Sequence, residues 1–408
     1  MKSNYNAFVD SYNNFDYRPL KGSTLTDFYV DDFTKEITDR IISTIKITDR
    51  FRKILIIGHT GCGKSTILNK ISEELKNSFY VVDFSVANEL NMMDIETIDI
   101  LMTIYLQLVN SVKNMEENKL KTVTSSFSNL MKSFVKKINI KEFETSFKLL
   151  ETISLKIKVE PESRNAMRDT FKNQIESVQK NLSEACSYIS NLTGKDILIV
   201  IDDLDKLKDA NATKKIFFNE THLLTMPEAK IVFTFPIFAY YSAAFVHISD
   251  KFSQEFIQLV NLCDFDGNFQ KDSYSVLKKL IHKRINHSII SEKALNELIE
   301  KSGGLLRDLV KFMQDACKIA IDKRLMIINS DVAKKVIREK INEYYRLFDF
   351  TKRENDLLEI METQQRDSIS KDVLVFFLRY LFVLKYGNQG DVTWYDAHPC
   401  LKECFIRK

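Results

Sequence analysis

Glycine and proline are scarce in this chain, with 10 and 5 among 408 residues, against usual shares of roughly 7% and 5%. That scarcity excludes collagen-like and low-complexity proteins. It favours a mostly helical chain that keeps glycine where the backbone requires it. Cysteine is limited to Cys62, Cys186, Cys263, Cys317, Cys400 and Cys404. No two form a CxxC pair and no histidine cluster accompanies them, so reduced thiols are expected rather than a disulfide framework or a zinc site. Charge of one sign is also lacking: 59 Lys and Arg face 56 Asp and Glu, a net +3. So small an excess marks no dedicated polyanion binder and leaves nucleic acid open. The most apolar stretch, VLVFFLRYLFVL, carries Arg379 in its middle and is too short to span a bilayer. The first twenty residues hold no apolar signal core. The expectation is a soluble, cytoplasmic protein without a membrane. At 44% hydrophobic residues it has enough core for two or three domains.

Four apolar runs stand out as buried parallel strands: KILIIG (53–58), FYVVDFSV (79–86), the start of DILIVIDDLD (196–205) and KIVFTFP (230–236). Helical patterns separate them, which predicts an α/β domain with a mainly parallel sheet. Residues 1–50 read as a lead-in ending in a helix over TKEITDRIISTI. Residues 51–262 read as the α/β core, with a helical insertion at about 90–192, because a gap of about 110 residues between the second and third strands is too long for a simple crossover. In that insertion Phe171, Ile175, Val178, Leu182, Ala185, Ile189 and Leu192 form a heptad seam. It suits a helix packed within the chain or, alternatively, a coiled coil with a partner. ISLKIKV (153–159) alternates apolar and polar residues, as a short edge strand does. Residues 263–334 read as a helical lid. Residues 335–408 read as three helices followed by VLKY, the turn-rich GNQG (387–390) and VTWYD, a pattern that suggests a winged helix-turn-helix.

Gly58-His59-Thr60-Gly61-Cys62-Gly63-Lys64-Ser65 fits GxxxxGK[ST] between a strand and a helix. Glycines let the loop turn its N–H groups onto phosphates, and the helix N-terminus adds its positive end. The loop, continued to Thr66, is the predicted nucleotide cradle. Lys64 is expected on the β- and γ-phosphates and Ser65 on Mg²⁺. The run Ile197–Ile201 ends in Asp202-Asp203, a Walker B pattern. Asp202 is the candidate second Mg²⁺ residue, and Asp203 the candidate base that polarises water. Asp203 and Asp205 could alternatively cap a helix. Thr234, ending the fourth strand, is a candidate sensor of the γ-phosphate or the water, or simply a good strand residue. Cys62 reads as a small filler of the loop, with a redox switch as the other reading.

In SGGLLRD (302–308), Gly303-Gly304 ends one helix and Arg307 falls in the first turn of the next. A cation there opposes the helix dipole, which hints at another duty. This stretch resembles the sensor 2 element of AAA+ ATPases, especially the origin-recognition and STAND-like branch. Together with Gly58–Ser65, IVIDDLD (199–205) and Thr234 with Pro236, it makes residues 25–330 resemble one AAA+ ATPase. Leu306 stands where STAND members carry a proline, so the origin-recognition-like branch stays open. The stretch around Trp394-Tyr395 and His398-Pro399 resembles the end of many bacterial ATP-binding proteins of this kind, in which a winged helix follows the core.

The resemblance implies ATP and Mg²⁺ as cofactors and Arg307 as a catalytic-site residue that reaches the phosphates from the lid. It also implies a homo-oligomer that acts on a protein effector or regulator, in the manner of bacterial antiviral defence ATPases. Arg284 and Arg168 are candidates for an arginine finger, with a structural or surface role as the favoured reading of each. The predicted recognition helix near Ser370–Tyr380 is mostly apolar, which favours intramolecular packing or protein contacts over DNA reading. His398 is expected to pack on Trp394 or cap the hairpin. The function expected is an ATP-driven regulatory switch, an ATPase with partner-gated turnover. The alternatives are a DNA-loading or targeting ATPase and a nucleotide-stabilised scaffold.

Overall fold

The computed structural model describes residues 2–32, 34–112, 146–207, 209–387 and 392–406. Part of the expected insertion (113–145) and most of the GNQG turn (388–391) lie outside these.

The four apolar runs form β1 (Lys53–Gly58), β2 (Phe79–Ser85), β3 (Asp196–Asp202) and β4 (Lys230–Pro236). With β5 (Phe252–Phe256) they make one sheet in the order β2-β3-β4-β1-β5, every pair parallel. The runs of β1, β3 and β4 are largely apolar because both faces are covered, while the edge strand β2 is half-buried and carries Asp83. Alternate residues serve each face: Ile54, Ile56, Leu198, Val200 and Val232 join one apolar cluster, while Leu55, Ile57, Ile199, Ile201 and Phe233 join the other. Helices α1 (Lys2–Asn14), α2 (Lys35–Ile47) and α3 (Lys64–Leu75) come from the first part of the chain. The first face is covered by α2 and α3 through Ile41, Ile45, Ile67 and Ile71.

Sequence patterning does not announce β5. FSQEF is short and half polar, and its Glu255 is buried because Arg40 and Thr44 of α2 bind it at 2.9 and 2.5 Å. A further correction concerns residues 153–159. They belong to helix α5 (Ser146–Val159), not to an edge strand. Ile153 and Ile157, four apart, are buried, while Leu155 and Val159 face solvent, so the helical period wins.

The other insertion helices are α4 (Thr97–Ser111), α6 (Pro161–Lys172) and α7 (Ile175–Thr193). The seam is broken between Phe171 and Ile175, where α6 ends. Val178, Leu182, Ala185 and Ile189 are buried in the chain's own core, which answers the coiled-coil alternative for those positions. Arg168 is buried against Asp99 and Asp94, at 2.5 and 2.9 Å. That ion-pair network removes it from the finger candidates.

Beyond the sheet come α8 (Lys271–His282), α9 (Glu292–Lys301) and α10 (Leu306–Asp322). The chain continues with α11 (Ser330–Leu347), α12 (Phe350–Thr363) and α13 (Lys371–Arg379), then the antiparallel hairpin β6 (Val383–Tyr386) and β7 (Trp394–Ala397), and α14 (Pro399–Ile406). Leu384, Tyr386 and Trp394 of the hairpin join the same apolar cluster as Cys62 of the phosphate-loop motif and Leu305 before α10. No helix among the described residues is long and apolar enough to cross a membrane.

Candidate nucleotide site

In a parallel sheet all the strands end at one edge, and ligands collect there. Gly58, Asp202 and Thr234 reach that edge from β1, β3 and β4. Because β4 lies between β1 and β3, Thr234 sits between the loop and the acids.

After Gly58 the loop turns through Gly61 and Gly63, with φ of +94° and +105°, a region L side chains rarely adopt. Position 61 also has no room: a Cβ there would come within 2.8 Å of Arg307 Cβ. The turn delivers the amides of α3 to the cleft. It also buries Lys64, whose Nζ donates to the Gly58 and His59 carbonyls, each at 2.8 Å, and pairs with Asp205 at 2.8 Å. Asp205, read from sequence as a capping candidate, is thus the lysine's partner. Its Oδ1 has no hydrogen-bond partner.

Asp202 accepts from the Ser65 hydroxyl and from the Asp203 amide, the latter at 2.7 Å. Burial, and then the charge of Asp203, raise its pKa to about 6. Asp202, Asp203 and Asp205 bring carboxylate oxygens within 4.8 Å of one another, a separation that suits sharing a cation. Asp203 adopts a left-handed backbone, φ +71°. Its carboxylate accepts from Ser85 Oγ at 2.5 Å and pairs with Lys206. Thr234 is fully buried and its hydroxyl oxygen accepts from the Leu204 amide at 3.0 Å, so it fixes the turn that carries the acids. Cys62 is buried and its thiol is pushed up by burial, which withholds the thiolate a redox switch needs.

Arg307 arrives from the first turn of α10, in the segment expected to be the lid. Its amide donates to Gly61 O at 3.0 Å, so the start of α10 rests directly on the loop. Thr60 lies half-buried in the loop. Thr66 Oγ1 accepts from the Leu20 amide at 3.2 Å, and Asn69 of α3 donates to Leu20 O at 2.8 Å. The lead-in therefore forms a wall of the site. The cleft holds about 870 Å³ counted to its open mouth, and is lined by Leu20 and Phe28 as well as by the loop, Arg284 and Arg307. Arg284, buried and lining its own chain's cleft, fits the structural reading rather than a finger for a neighbour.

His59 is fully enclosed. Its Nε2 accepts from the Lys385 amide of β6 at 2.8 Å. Burial, with Lys64 and Lys385 nearby, pushes its pKa down to about 3, so the ring is neutral. Tyr386 OH donates to Gly303 O at 2.9 Å. His398, expected on Trp394 or as a cap of the hairpin, accepts from the Cys400 amide at Nδ1, at 3.2 Å, and places Nε2 3.2 Å from Asp308, the residue after Arg307, with its ring against Tyr344. The structure thus joins loop, lid and C-terminal hairpin.

Residues 34–235 match the KAP family P-loop domain. The fold is that of a P-loop NTPase. Among solved structures the chain is similar to the Walker-type ATPase of Pyrococcus abyssi, at 12% identity and a TM-score of 0.50, over 96% of this chain and 99% of that one. The Orc1 protein of Aeropyrum pernix in complex with DNA also aligns, at 10% identity and a TM-score of 0.43, over 96% and 97% of the two chains. Cdc6p of Pyrobaculum aerophilum aligns at 11% and 0.42, over 97% and 96%. No curated protein sequence matches significantly. For a P-loop NTPase the sequence-predicted loop residues, Asp202, Asp203, Thr234 and Arg307 are all gathered at one edge. Sequence reasoning missed the lead-in wall, the Lys64–Asp205 pair and the reach of His59. Three acids in DDLD, more than one cap can use, were the available signal for the second of these.

Proposed function

We propose that this P-loop NTPase is an ATP-binding, slowly hydrolysing AAA+-type regulatory switch whose nucleotide state is passed to its C-terminal module. The supporting observation is the junction at the loop: Arg307 N on Gly61, and His59 on Lys385. A change of loop shape on binding phosphate has a direct hydrogen-bonded route to both the lid and the hairpin.

The residues fit ATP and Mg²⁺. The glycine turns form an amide cradle, Lys64 and Arg307 supply positive charge, and Ser65 and Asp202 supply hard oxygen ligands. Bound Mg²⁺ would neutralise phosphate charge. Lys64 must exchange Asp205 for phosphate, which makes the ion pair a gate on binding. Asp203, the proposed base, is held by Ser85 and Lys206. Its release from them is required before it can accept a proton from water, which accounts for slow, partner-gated turnover. Thr234 positions the turn bearing Asp203, and Arg307 couples the phosphates to lid closure.

Residues 335–408 act as a winged-helix-like module used for protein contacts, within a homo-oligomer or toward a separate effector. Val373, Leu374, Phe377 and Leu378 of α13 are buried, and Arg379 lies 5.6 Å over the Phe238 ring. These contacts leave the helix poorly supplied for reading bases. A role in antiviral defence rests on resemblance alone.

Steady-state ATP hydrolysis with and without double-stranded DNA tests the proposal. A low rate indifferent to DNA and abolished by Lys64→Ala is expected. A rate strongly raised by DNA would replace the switch with the loader reading.

A further inference from the structure

The lining of the cleft is of two unlike kinds, polar and apolar. Gly61, Gly63, Lys64 and Ser65 make up the first, with Arg307 beside Gly61; Leu20, Phe28, Val30 and Leu280 make up the other. The apolar lining nevertheless contains a cation. Arg284 follows α8 and is 6% exposed. Its guanidinium lies 4.8 Å over the Phe28 ring, and Nη1 donates to Leu280 O at 2.8 Å. Its Nε has no hydrogen-bond partner. Among the described residues no carboxylate pairs with it, and burial alone lowers its pKa to about 10. A buried donor and charge left without a partner are costly to a fold, so a ligand that supplies an acceptor is favoured there.

The kind of acceptor follows from position. Phosphate charge is already met by Lys64 and Arg307 of the polar lining. A guanidinium only donates, so it cannot serve an exocyclic amino group. Lying over the Phe28 ring, it has N–H donors beyond the one given to Leu280 O. We propose that Arg284 reads a ring nitrogen of a purine base held against the apolar lining of the cleft, and so sets base recognition separately from phosphate binding.

This rests on the cleft being a nucleotide site. The test is the equilibrium affinity of the full chain for ATP and for its 1-deaza, 3-deaza and 7-deaza analogues, each of which replaces one ring nitrogen by CH. The same series is run on Arg284→Ala and on Arg284→Lys, which keeps the charge and loses the fork. The parent is expected to bind one analogue about tenfold more weakly than ATP, the loss of one charge-assisted hydrogen bond. Both variants should bind ATP more weakly and lose that discrimination, with thermal melting showing that they are folded. If Arg284→Ala unfolds, Arg284→Lys decides by the same criterion. Equal affinity of the parent for all four ligands, or discrimination unchanged in a folded variant, overturns the assignment while leaving the nucleotide site standing. Failure of the parent to bind any of the four overturns both.

Discussion

At the scale of single residues, Lys64 has two duties that mutation can separate. It is the charge in the phosphate cradle, and it is also the partner that keeps Asp205 paired inside the protein. Breaking a buried ion pair from one side costs about 3–5 kcal/mol, far more than removing both partners. Lys64→Ala should therefore lose ATP binding and also lower unfolding stability by about 3 kcal/mol. Lys64→Ala with Asp205→Ala should regain most of the stability and none of the binding. Calorimetric titration and urea melts separate the two effects. Asp203→Asn should preserve ATP binding and slow single-turnover hydrolysis by about 100-fold, within the usual worth of a general base.

The two buried histidines give a pH prediction. Burial lowers the pKa of His59 to about 3 and lowers that of His398 as well. In the unfolded chain both titrate near 6.5. Below that pH the unfolded state takes up protons that the folded state refuses, so stability falls as pH falls. For His59 the loss continues from about 6.5 down toward 3, at roughly 1 kcal/mol per pH unit. Asp202, raised to about 6, contributes stability as pH falls over the same range and opposes this slope, so His59 is read by difference: in melts between pH 7 and pH 5, His59→Ala should lose less stability per pH unit than the parent.

At the scale of elements, Gly304 links α9 to α10 and meets the segment after β5. Its φ is +76°, and a Cβ would come within 1.9 Å of Val260 O. Gly304→Ala should destabilise the protein by more than about 2 kcal/mol, through backbone strain and a clash with a carbonyl that is not on a flexible side chain. Differential scanning calorimetry would measure it. The strands β1, β3 and β4 were legible because each is a largely apolar run ended by glycine, acid or proline, and β2 because its aromatic and β-branched residues suit a strand despite Asp83. The loop was legible because its residue types are dictated by phosphate chemistry. By contrast β5 was hidden, since Glu255 becomes acceptable in a strand only when Arg40, distant in sequence, is packed beside it. The same reason hid the lead-in: Leu20 reads as an ordinary apolar residue until its backbone is seen bonded to Thr66 and Asn69. Period-two alternation over 153–159 misled because short runs satisfy more than one period.

At the scale of the whole molecule, the central claim is that nucleotide state and C-terminal module share one junction. His59 and Lys385 are 326 residues apart, and no sequence pattern connects a side chain to a backbone amide at that separation. The lid closes the circle, with Tyr386 on Gly303 and His398 beside Asp308. In this geometry the loop cannot rearrange around phosphates without altering the environment of β6. Amide hydrogen exchange at Lys385, with and without saturating ATP and Mg²⁺, tests that most directly. The account predicts a changed exchange rate at Lys385 and neighbouring β6 amides on ATP binding, absent in Lys64→Ala. An unchanged rate in the parent, with ATP demonstrably bound, would contradict it.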